Sequence, residues 1–120
     1  MGANGVLRIT TNWTMNNDAS VKTLRVRFNG VSGTIYSGVA GASLIRDHLQ
    51  TQIYNRNATN SQIGGNNAGN ATGYGSSTTA QITSAIDTTA AVNVVISGEL
   101  ADSTDTITLE AYVVEHLYTP

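Results

Sequence analysis

From Val6 to Met15 the side chains alternate without a break: Leu7, Ile9, Thr11, Trp13 and Met15 fall on one side, and Arg8, Thr10, Asn12 and Thr14 on the other. Successive side chains of a strand point to opposite faces, whereas the apolar positions of a helix recur every three or four residues. Alternation of this length predicts a β-strand with one dry face. The signature returns where Leu24, Val26 and Phe28 alternate with Thr23, Arg25 and Arg27. It returns again where Val92, Val94 and Ile96 alternate with Asn93, Val95 and Ser97, Val95 breaking the polarity as in a strand buried on both faces. In the last segment Ile107, Leu109, Ala111 and Val113 read as one face, and Tyr112, Val114 and His116 share the other with Thr106, Thr108 and Glu110.

Turn chemistry separates these segments. Residues 15–20 form a polar turn, and Asn29-Gly30, a pair that readily takes positive φ, predicts a tight hairpin leading into a third strand over residues 31–37. The first three strands then read as a meander. Residues 42–57 are ambiguous: Ile45, Leu49 and Ile53 recur at helical spacing with Ser43 as a cap, yet they also fit a strand face that turns Asp47 inward. Thr51 and Tyr54 favour a strand over about 48–55, with room for a short helical turn before it. Residues 64–79 are too rich in Gly, Asn, Ser and Thr for a helix and have almost nothing to bury, which predicts a long exposed loop whose large side chain is Tyr74. A strand over 80–86 and a turn over 101–105 complete the pattern. Seven or so short strands punctuated in this way predict a single all-β domain over residues 1–120, an antiparallel two-sheet β-sandwich.

The polar surface of such a domain is nearly neutral, because charged residues make up only 12% of the chain against roughly 25% in typical domains. With a net charge of -2 and scattered basic residues, no stripe is available to neutralise nucleic-acid phosphates. There is no cysteine, so stability is left to packing. The N-terminal residues lack a cationic start followed by an apolar run, and no stretch is long and apolar enough to span a bilayer as a helix, so neither secretion nor membrane insertion is expected.

No constellation of residues announces a reaction. Asp47-His48 and Glu115-His116 are the only acid-histidine neighbours, and adjacent strand residues diverge, so neither pair can close on one ion. Asp87, Asp102 and Asp105 lack the spacing of a calcium loop and read as turn formers. The serines lack a nucleophile elbow and the glycine-rich segment lacks a phosphate-loop ending, so the expectation is a protein that is not an enzyme and carries no metal or cofactor. Three Asn-x-Thr triplets, at Asn12, Asn57 and Asn70, read as accidents of composition. Trp13 and Tyr54 could stack on a sugar, but Trp13 shares its face with Leu7 and Ile9 and reads as core; Tyr74, Tyr112 and Tyr118 are better suited to external contact.

Four stretches carry a family likeness: Val6-Leu7-Arg8-Ile9; Lys22-Thr23-Leu24-Arg25-Val26-Arg27-Phe28-Asn29-Gly30; Ile53-Tyr54-Asn55-Arg56-Asn57 with Ser61-Gln62-Ile63-Gly64; and Asp105 through Glu115. Taken together they resemble the small jelly-roll structural proteins of tailed bacteriophages, which serve as tail-fibre, minor tail or head-decoration components. The resemblance implies a jelly-roll-like sandwich, a place in a virion assembled in the host cytoplasm, other virion proteins as partners, and a homotrimer. Tyr112, Val114 and His116, read as the water-facing side of the last strand, are the candidate subunit contact. Asn66, Asn67, Asn70 and Tyr74 are the candidate surface-recognition residues, suited to a polar ligand such as a host-surface glycan. A fibre-tip module, a capsid cement protein and a carbohydrate-binding module are the three functions to separate.

Overall fold

The computed structural model describes residues 1–65, the backbone of 67–68, and 79–117. These residues form nine strands and no helix: β1 (Val6–Met15), β2 (Val21–Phe28), β3 (Thr34–Ala42), β4 (Arg46–Asn55), β5 (Gln62–Gly64), β6 (Asn67–Ala68), β7 (Ile82–Ser84), β8 (Val94–Leu100) and β9 (Ile107–Leu117). One sheet has the order β7-β5-β4-β1-β9, the other β6-β3-β2-β8. All pairings are antiparallel except β3 with β6. The two sheets face each other as a β-sandwich, the expected architecture.

The alternation of β1 determines its place. Leu7, Ile9, Thr11, Trp13 and Met15 are buried while their neighbours are not, so one face of the strand lies on the core. Opposite it, Leu24, Val26 and Phe28 of β2 are buried from the second sheet. One apolar cluster joins Leu7, Ile9, Val26, Phe28, Tyr36 and Ile53; a second joins Trp13, Met15 and Leu24 with Leu44, Ile96, Ile107 and Leu109 packed against it. Full burial of side chains this size stabilises by roughly 1.5–3 kcal/mol each. Trp13 is 4% exposed, and Tyr54 points to the opposite side of its sheet, so the two form no shared platform.

Several boundaries differ from expectation. The first three strands are not a meander: β1 pairs with β4 and β9, whereas β2 pairs with β3 and β8 in the other sheet. The polar turn after β1 carries the chain across the sandwich, a crossing that local patterning does not encode. Asn29 and Gly30 take φ of 79° and 84° as anticipated, but the turn runs on through Gly33 and the third strand spans Thr34–Ala42 instead of residues 31–37. A Cβ at Gly33 would lie 2.1 Å from the Phe28 carbonyl oxygen, so the chain turns there only without a side chain. Ser43 caps no helix; at φ 56° it turns the chain from β3 into β4, which begins at Arg46. The stretch expected as a loop from residue 64 begins inside β5 and contains β6, with Asn67 paired to Ser37.

Two β-bulges set side-chain direction. In β3 the extra residue is Tyr36, since Val26 pairs with Ser37 and Arg27 with Ile35. Tyr36 and Ser37 are consecutively buried as a result, and Tyr36 meets Phe28 edge-to-face at 6.3 Å. Its ring fills the space over Gly64, where a Cβ would lie 2.4 Å from the ring. In β9 the extra residue is Glu110, since Asn12 pairs with Ala111 and Trp13 with Leu109.

Candidate functional site

The β9 bulge rearranges the face expected to meet a neighbour. Before it, Ile107 and Leu109 point inward, opposite Met15 and Trp13. After it, Tyr112, Val114 and His116 lie opposite Thr11, Ile9 and Leu7, on the core-facing side of the sheet, while Ala111, Val113 and Leu117 take the outer side. Unbroken alternation assigns these two sets the other way round; one inserted residue reverses the phase. This end of β9 is nonetheless exposed. Tyr112 is 63% exposed and Val114 45%, and on the outer side Val113 is 53% exposed. His116 is exposed as well.

β9 is also the last strand of its sheet, and among the described residues nothing pairs with its outer edge. The segment from Ala111 to Leu117 therefore offers backbone donors and acceptors along one side and apolar side chains on both faces. Its inner face runs into a groove of about 220 Å³ between the sheets, lined by Leu7, Phe28, Val92, Val94 and Val114. Arg8 fixes the strand from the outer side: its Nε donates to Glu115 Oε2 at 2.7 Å and its Nη2 to Oε1 at 3.2 Å. This hydrogen-bonded guanidinium holds the Glu115 carboxyl below the usual carboxylate range. The arrangement can hold a strand or an apolar surface.

The remaining expected residues lie apart. His48 points outward opposite Asn12, while Asp47 sits on the inner side opposite Trp13. Burial raises the Asp47 carboxyl above its ordinary value, and its Oδ2 is buried without a hydrogen-bond partner among the described residues. Asp87 and Asp102 act in turns, their Oδ1 atoms accepting from the backbone N–H and hydroxyl of Thr89 and Thr104, which lowers both carboxyls. Asp105 departs from the turn-forming role expected of it, because its side chain is buried against Lys22. Among the described residues no three His, Cys, Asp or Glu side chains gather as a metal site would require. Asn66, Asn70, Tyr74 and Tyr118 lie outside the described residues, and Asn67 contributes backbone to β6.

Sequence reasoning missed Val113 and Leu117 as exposed apolar residues because both phases of the last strand are apolar, so no pattern betrays the bulge. It also missed Lys22, though a signal was present: Lys22 has the parity of Leu24, Val26 and Phe28. Comparison with protein-family models, with curated proteins and with solved structures returned no match.

Proposed function

We propose that this chain is a non-catalytic virion structural protein of a tailed bacteriophage, a jelly-roll-like fibre or fibre-tip module that works as a homotrimer. The observation that carries this reading is the β9 edge, which no described strand covers, with Tyr112, Val113 and Val114 exposed on its two faces. A long edge strand with apolar flanks is a hazard in a monomer and is ordinarily shortened, charged or covered. Covering it by the adjoining subunit around a three-fold axis removes the hazard and uses two different surfaces of each chain, as a closed ring requires. The family resemblance of the Lys22–Gly30 and Asp105–Glu115 stretches supplies the virion setting. The weakly charged surface suits lateral packing and contact with polar host glycans.

Light scattering on the purified chain at micromolar concentration tests the assembly: a trimer mass is expected, and a monomer overturns the proposal. Adherence of the trimer to host cells or their glycans supports the fibre-tip role. Rescue of fragile empty capsids without glycan binding replaces it with capsid cementing.

A further inference from the structure

Lys22 and Asp105 form the most deeply buried charged pair of the described residues, with side chains 0% and 1% exposed and Lys22 Nζ 3.2 Å from Asp105 Oδ2. Three details distinguish them from an ordinary ion pair. Lys22 Nζ donates to two backbone carbonyls, of Ser20 at 3.3 Å and of Asp18 at 3.5 Å, which leaves its third position for Asp105. Asp105 Oδ2 accepts no hydrogen bond within normal angles, so the amine touches the carboxyl without being a proper donor to it. The other oxygen, Oδ1, accepts from Asn16 Nδ2 at 2.9 Å.

We infer that Lys22 and Asp105 are the partners of an intramolecular amide bond that ties β2 to the start of β9. The reaction starts with transfer of one proton from the Lys22 ammonium to Oδ2, which gives the amine and the carboxylic acid that an amide is made from. Two of the amine's hydrogens are held by carbonyls and its nitrogen lies 3.2 Å from Oδ2, so the attack of its lone pair on Cγ comes from the side of the carboxyl group. As the N–C bond forms, the Cγ=Oδ1 electron pair moves onto Oδ1, where the Asn16 N–H receives the charge. A proton then moves from the nitrogen to the Oδ2 hydroxyl, the Cγ–Oδ2 bond breaks, and Oδ1 returns to a carbonyl. One amide is made and one water leaves, with no oxidant or reductant. Fixed contact between the groups replaces the activation that amide formation otherwise needs, and exclusion of water opposes hydrolysis. The bond joins the two sheets in a chain that has no cysteine to do so. The inference is independent of the assembly reading.

Intact mass measured on the denatured full-length chain tests it, since this readout does not depend on whether a variant folds. The wild-type chain is expected one water below its sequence mass, with a branched Lys22–Asp105 peptide after proteolysis. Lys22→Arg and Asp105→Ala are each expected at full mass. A wild-type chain that stays at full mass after prolonged incubation overturns the inference. So does a water loss that persists in Lys22→Arg, which would mark a succinimide at an aspartate, and so does loss of ammonia with a link mapped to Asn16.

Discussion

The two edges of the five-stranded sheet are finished in opposite ways. At one edge β5 and β7 are three residues each, and a buried polar network closes them off. Gln62 Nε2 donates to Asn55 Oδ1, Thr59 O and Ile86 O, while its Oε1 accepts from Ser84 Oγ and the Ile86 N–H. Asn55 and Thr88 extend the network to the carbonyls of Met1 and Gly2, and the Met1 ammonium donates to the Thr88 carbonyl at 2.9 Å. At the other edge β9 runs for eleven residues with apolar flanks and, among the described residues, no such closure. Among the described residues one margin is closed by its own polar network and the other is not, so the first edge serves stability, and on the proposed reading the second serves contact.

Four substitutions would break or sharpen this contrast, taken from the largest expected effect on folding to the smallest. Gln62→Ala strands several buried donors and acceptors at once and should cost about 3 kcal/mol or more in chemical denaturation. Gly64→Ala drives a methyl group into the Tyr36 ring and should cost about 1–3 kcal/mol, a loss that Tyr36→Ala would not simply add to, because the residues touch. Asp47→Asn should give a small gain in stability at neutral pH. The folded state raises the Asp47 carboxyl, so it binds protons more tightly than the unfolded chain does, and its penalty develops as pH rises through the unfolded value of 3.8 to the higher folded one. Denaturation curves of wild type and Asp47→Asn should therefore converge below that range and separate above it. Val113→Lys, at the β9 edge, should change monomer stability by no more than about 0.5 kcal/mol while reducing the proposed trimer to monomer in light scattering. A large stability loss from Val113→Lys, or a change of oligomeric state from Gln62→Ala at temperatures where it stays folded, would dissolve the division of labour.

How much of this was legible in the sequence depends on whether the cause was local. β1 was readable to its ends because its alternation is unbroken, and Asn29-Gly30 was readable because positive φ is a property of the residues themselves. The partners of β1 and β2 were not, since the crossing between sheets is decided by which faces must be buried together. The two bulges were invisible for a related reason: Tyr36 and Glu110 become extra residues only relative to a pairing strand. Asp105 read as a turn former because its neighbours form a turn, and its burial comes from Lys22 on a distant strand. Tyr112, Val114 and His116 were thus read as the water-facing side of the last strand, whereas the bulge sets them on the core-facing side of their sheet.

The insertion at Glu110 also limits what can dock there. A regular incoming strand cannot follow an edge through an extra residue, so the margin divides into a short piece before Glu110 and the stretch Ala111 to Leu117 after it. A straight guest segment is confined to the latter, about 20 Å of ladder at roughly 3.3 Å per residue. Anything longer would have to carry a matching kink of its own, and that requirement is a filter on strangers.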